Sequence, residues 1–137
     1  MANPLKVALI QNCAESDMAP SIAALEPLIR AAAKDQAQFI LLPEMAAMLE
    51  PNSEQVLAKA KSEAEDPALK SFRALARETG TWILVGSLLF KEPGKGRVIN
   101  RSLLVDPTGA ITARYDKLHL FAVDVGDGEF YKESATV

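Results

Sequence analysis

Short, nearly unbroken apolar runs alternate with stretches whose apolar residues recur every three or four positions, and this alternation predicts an α/β chain. Lys6-Val7-Ala8-Leu9-Ile10-Gln11 reads as a strand covered on both faces and therefore as a central one. Ser16 and Asp17 then offer N-caps, and Met18, Ile22, Leu25, Ile29 and Ala33 mark one face of a helix. Pro20 suits its first turn, whereas Pro27 removes an interior donor and predicts a kink against the Ala23 carbonyl. Phe39-Ile40-Leu41-Leu42 is a second apolar strand, closed by Pro43, with Glu44 immediately beyond.

Asn52 and Gln55 form a possible capping box for a thinly amphipathic surface helix carrying Val56, Leu57, Ala60 and Ala64. Asp66 and Pro67 sit at N-cap and first-turn positions of a stronger helix, whose Leu69, Phe72, Leu75 and Ala76 face the core and whose Gly80 ends it. Trp82-Ile83-Leu84-Val85-Gly86 is a third buried strand. The loop Glu92-Pro93-Gly94-Lys95-Gly96 leaves no room for a helix, so Val98 to Val105 should return antiparallel. Asp106-Pro107-Thr108-Gly109 supplies the next hairpin turn, into Ala110 to Tyr115. The order predicts a mixed β-sheet with helices on one face.

Composition narrows the function. The 137 residues are 49% hydrophobic and 24% charged, the profile of a single globular domain. A net charge of -3, without a basic stripe, argues against a nucleic-acid partner. No apolar run is long enough for a membrane helix, so no membrane partner is expected. One cysteine, Cys13, excludes an internal disulfide and fits a reducing compartment, so the expected location is cytoplasmic. With a single histidine beside it, too few nitrogen and sulfur ligands remain for zinc, and no cofactor motif is found.

Candidate chemistry lies at strand ends, because ligands of open α/β sheets collect beyond the carboxyl ends of parallel strands. Glu44 occupies such an end, where partial desolvation would suit a general base. Lys117, in Tyr115-Asp116-Lys117-Leu118-His119-Leu120-Phe121, could pair with Glu44 or stabilise an oxyanion; the alternative is an exposed cation beside Asp116. His119 is expected to be a structural, hydrogen-bonded residue. Cys13 is the only thiol, yet Gln11-Asn12-Cys13-Ala14-Glu15 supplies no cation to activate it. Asn100-Arg101-Ser102 is a glycosylation sequon inside a predicted strand, and Arg101 and Lys132 are possible anion partners.

Val7-Ala8-Leu9-Ile10-Gln11, Leu41-Leu42-Pro43-Glu44, Asn100-Arg101-Ser102 and Tyr115 through Phe121, in this order, resemble the nitrilase superfamily of carbon-nitrogen hydrolases. The tail from Asp124 to Ser134 resembles the branch containing ω-amidase and deaminated glutathione amidase. The resemblance implies an α-β-β-α sandwich of the nitrilase type, of which residues 1–137 are the N-terminal half of a single domain. It implies amidase-type hydrolysis of a small-molecule amide bearing a carboxylate, by a homo-oligomer without cofactor. In that family a glutamate is the base, a lysine stabilises the tetrahedral intermediate, and a cysteine attacks, often aided by a second glutamate. The motifs carry these roles to Glu44, Lys117 and Glu133, with Asp124 a second claimant for the last. The family's cysteine follows the lysine, and none does here, so the chain is expected to be inactive alone. Two other readings compete: a non-catalytic oligomerisation or interaction module derived from that fold, and an unrelated doubly wound domain in which Glu44 and Lys117 are separate surface charges.

Overall fold

A computed structural model describes residues 4–120, 122–124 and 130–132. Its first strand, β1 (Val7–Leu9), leads into α1 (Met18–Lys34) and β2 (Phe39–Leu41); α2 (Ser53–Lys59) and α3 (Pro67–Thr79) then precede β3 (Trp82–Lys91), β4 (Val98–Val105) and β5 (Ile111–Asp116). Five strands form one sheet in the order β1-β2-β3-β4-β5, with β1, β2 and β3 parallel and β3, β4 and β5 antiparallel. This is the mixed sheet that the apolar pattern predicts. A second, two-stranded antiparallel sheet joins β6 (Ala122–Asp124) to β7 (Phe130–Lys132), a pairing that the sequence pattern does not predict.

The helices begin and end where local chemistry directs. Asp66 accepts from Leu69 N at 2.8 Å, Pro67 opens α3, and Gly80 closes it at φ 65°. Asn52 Oδ1 caps α2 by accepting from Gln55 N at 3.0 Å. Asp17 occupies the N-cap of α1 but makes no capping bond; its carboxylate instead meets Lys59 Nζ at 3.0 Å. The helix runs through Pro27 to Lys34, because Leu25 and Ile29 on either side of the proline are wholly buried and hold it against the sheet.

One face of the sheet carries the core. Leu25 and Ile29 of α1 and Phe72, Leu75 and Ala76 of α3 pack on Ile40, Ile83, Val85, Leu103 and Val105. The helix α2, expected to lie on the surface, buries Val56 in a second cluster with Met48, Ala60, Leu89 and Val98, because the long β3 and β4 extend past the main core and need cover. On the opposite face, register places Val7, Phe39 and Trp82 in one row and Leu9, Leu41 and Leu84 in the next. Val7, Leu9 and Trp82 are exposed there. Thus β1, expected to be central, is an edge strand among the described residues, and its outward side chains are uncovered; apolar residues on both faces of a strand report a second layer, which the described residues do not supply.

Candidate active site

The Glu44 turn is built by a close approach of the end of β2 to the middle of β3. Beyond β2, the backbone of Leu42 and Pro43 runs against Gly86 and Ser87, which lie at the register shift of β3 between Val85 and Leu88. Gly86 N donates to Leu42 O at 3.1 Å and Ser87 N to Pro43 O at 3.3 Å. Ser87, itself buried, then returns both its oxygens: Met45 N donates to Oγ at 2.8 Å and Ala46 N to the carbonyl at 3.2 Å. The clamp holds Met45 in the left-handed region at φ 50°, which is strained for a side chain of this size. Asn12, following β1, adds a bond from Nδ2 to Ala46 O at 3.0 Å. The ends of β1 and β2 and the register shift of β3 therefore converge on the turn that carries the carboxylate.

Lys117 arrives from the other direction. It follows β5, and its backbone amide extends the ladder to Asn100 O of β4 at 2.9 Å. Its Nζ reaches Glu44 Oε1 at 2.7 Å across 73 positions of sequence. Asn100, 2% exposed, donates from Nδ2 to the same Oε1 at 3.0 Å. The Lys117 side chain is 25% exposed and that of Glu44 56%. The cover expected over Glu44 from the preceding apolar strand is not found among the described residues: Leu42 packs into the core, and more than half of the Glu44 side chain is exposed. With one partner so exposed, the pair contributes no more than about 1 kcal/mol to folding, and its importance is geometric.

A cleft of about 190 Å³ opens beside the lysine, walled by Val98, Ile99, Asn100 and Leu120 and carrying the charged groups of Glu92, Arg97, Asp116 and Lys117. Behind it stands an ion cluster. Arg101 grips Asp116 with two bonds, Nε to Oδ1 at 2.5 Å and Nη2 to Oδ2 at 2.8 Å, and places Nη1 2.7 Å from Glu63. Arg114 Nη2 meets the other oxygen of Glu63 at 2.7 Å. Arg114 and, to a lesser degree, Arg101 hold the Glu63 carboxyl below its usual range, and Arg101 does the same to Asp116. Three of the five N–H donors of Arg101 are thus engaged by carboxylates, which also offset its charge.

The remaining candidates divide. His119, expected to be hydrogen-bonded, is exposed and makes no hydrogen bond among the described residues, because the segment after β5 lies on the surface. Cys13 is exposed and has no hydrogen bond or ion pair to Glu44 or Lys117 among the described residues. Glu133 and the Lys132 and Asp124 side chains lie outside what is described. Among the described residues no acidic, histidine and cysteine side chains cluster as a metal site, and no helix is long and apolar enough to cross a membrane. Sequence reasoning missed Asn100, Ser87 and Gly86. The one available signal was the position of Asn100 two places from Val98, which puts both side chains on the same buried face of β4.

The family profile described as carbon-nitrogen hydrolase matches residues 6–136. The chain is 34% identical over 133 residues to a deaminated glutathione amidase of Yersinia enterocolitica, covering 95% of this chain and 46% of that protein. It is 27% identical over 132 residues to an omega-amidase of Bos taurus, covering 96% and 46% respectively. The chain thus spans about half the length of the curated relatives it matches. Among solved structures it is similar to the NitFhit protein of C. elegans, with TM-score 0.82, 26% identity, and coverage of 93% of this chain and 31% of that one. It is also similar to a mutant amidase from Nesterenkonia sp. in which the acetamide moiety of fluoroacetamide has added covalently at the active site cysteine, with TM-score 0.70, 25% identity, and coverage of 84% and 43%.

Proposed function

The chain belongs to the carbon-nitrogen hydrolase family, and on that premise we propose that Glu44 and Lys117 are the general base and the oxyanion-stabilising lysine of an amidase acting on a small amide that bears a carboxylate. The fold is that of the superfamily's amidases. The observation that carries the reading is the 2.7 Å contact between Glu44 Oε1 and Lys117 Nζ beside a cleft.

An amide carbonyl resists attack, so the nucleophile must be a thiolate and the charge forming on oxygen must be met by a cation. Glu44 takes the proton of a cysteine thiol, the sulfur attacks the carbonyl carbon, and the Lys117 ammonium faces the oxyanion. Collapse breaks the carbon–nitrogen bond, and the proton held by Glu44 leaves with ammonia. Water then hydrolyses the thioester, again giving its proton to Glu44, and the acid departs. Glu133 is the carboxylate proposed to support this cycle. The covalent adduct at the cysteine of the Nesterenkonia amidase supports a thiol route, and the names of the relatives from Yersinia enterocolitica and Bos taurus support an amide substrate. The thiol is proposed to come from outside residues 1–137, since Cys13 is the only one within them and bonds neither Glu44 nor Lys117 among the described residues. A single exposed thiol suits the cytoplasm, and the uncovered apolar rows of the sheet suit a homo-oligomer.

The test is ammonia release from α-ketoglutaramate or deaminated glutathione. The 137 residues alone should not turn over; robust activity that survives Cys13→Ala would overturn the assignment. The same uncovered face favours a second reading, an interaction module without thiol chemistry. Size-exclusion chromatography separates the readings when combined with that assay: stable self-association without any turnover in the full-length protein would favour the module.

A further inference from the structure

Glu44 has two carboxylate oxygens, and its hydrogen bonds are shared between them unevenly. Asn100 Nδ2 and Lys117 Nζ both donate to Oε1, at 3.0 and 2.7 Å, and no described residue donates to Oε2. The carboxylate is 56% exposed, so packing does not set its orientation; the two donors do. Of the two, Asn100 is the rigid one. It is 2% exposed inside β4, while its own carbonyl accepts the Lys117 backbone amide at 2.9 Å. One buried residue therefore orients the carboxylate with its side chain and anchors the lysine with its main chain.

Each carboxylate oxygen offers two in-plane lone pairs, and two N–H donors occupy those of Oε1. A proton arriving at Oε1 would evict one donor, whereas a proton at Oε2 leaves both in place. Resting on the assignment of Glu44 as base, we propose that Asn100 is a positioning residue that reserves Oε2 as the oxygen that takes and returns the proton, while it holds Oε1 against Lys117. Without the amide, rotation about the last side-chain bond of Glu44 exchanges the two oxygens and the division of labour is lost.

Two measurements on the 137-residue chain test this, neither requiring turnover. A neutron structure of deuterium-exchanged crystals at acid pH should place the added deuteron on Glu44 Oε2, with those of Asn100 and Lys117 still directed at Oε1; a deuteron on Oε1, or shared equally, overturns the proposal. The same neutron measurement on folded Asn100→Leu, which keeps the volume and removes the donor, should find the deuteron shared between Oε1 and Oε2. A deuteron confined to Oε2 in that variant also overturns the proposal. If Asn100→Leu does not fold, the neutron result on the unmutated chain decides. Ammonia release reads the role of Glu44 as base separately, so the two ideas can fail independently.

Discussion

Gly86 approaches Pro43 so closely that a Cβ on Gly86 would stand 2.5 Å from the Pro43 carbonyl oxygen, and closer still to that of Leu42. Both obstacles are backbone, which cannot swing aside as a side chain can. The approach is what allows Gly86 N and Ser87 N to bond the carbonyls leading into Glu44. Gly86→Ala should therefore destabilise the chain by about 2–3 kcal/mol and displace the carboxylate from Lys117. Denaturant midpoints measure the first effect. An alanine variant of unchanged stability would mean that β2 and β3 do not need this contact.

Gln36 ends α1 in a strained conformation. It lies at φ 65° one position beyond the C-cap Asp35, with its amide bonded to Ala33 O at 2.8 Å and that of Ala37 to Ala32 O at 3.0 Å. This double reach-back is the helix ending that glycine favours, because a Cβ crowds the left-handed region. The Gln36 side chain is exposed and makes no hydrogen bond of its own in this ending. Gln36→Gly should stabilise the chain by about 0.5–1 kcal/mol, read as a rise in melting temperature; a fall would show that flexibility gained by the unfolded chain outweighs the relief of strain.

Asp66 is buried, and its Oδ2 has no hydrogen-bond partner among the described residues. Burial pushes its carboxyl above the ordinary value of 3.8, against the opposing pull of the Leu69 and Ala68 amides. The folded chain thus binds this proton more tightly than the unfolded chain does. Its contribution to stability declines as pH rises from 3.8 through the folded value, and above that the penalty is complete. Asp66→Asn keeps an accepting oxygen at the cap and cannot ionise, so it should remove this decline. Unfolding free energies of the two proteins compared across pH 4–7, on the order of the range where carboxylates titrate, would show parallel curves if the argument is wrong.

Glu63 shows the opposite sign. Arg114 and Arg101 lower its carboxyl from 4.5, so the stability it contributes is present above that value and lost as pH falls through the folded one. The cluster is near the surface, so about 1 kcal/mol or less is involved and salt should weaken it. Glu63→Gln is expected to lower the melting temperature slightly at pH 7 and to reduce both its acid sensitivity below about pH 4.5 and its dependence on sodium chloride. Equal salt and acid responses in both proteins would remove Glu63 from the account.

Much of the architecture was legible because it is encoded by neighbours in sequence. The spacing of Leu25 and Ile29, the cap at Asp66 and Pro67, and the turn at Asp106 to Gly109 each act over a few residues, and each appears where the pattern put it. Failures occurred where cover or partners come from afar. The strand β1 reads as central from its apolar faces, yet its neighbours are set by which other strands are present. The face of α2 reads as thin, yet Leu89 and Val98 from two long strands complete it.

The chain by itself determined the order and kind of its elements, and motifs within it singled out Glu44 and Lys117, because periodicity, capping and short motifs are local properties. Only the tertiary structure decided that a lysine 73 positions away touches that glutamate, that Asn100 shares the same oxygen, and that Arg101 is spent on Asp116 and Glu63. Those outcomes depend on strand register and on a backbone approach at Gly86, and a shift of one residue in either would turn the side chains to the other face.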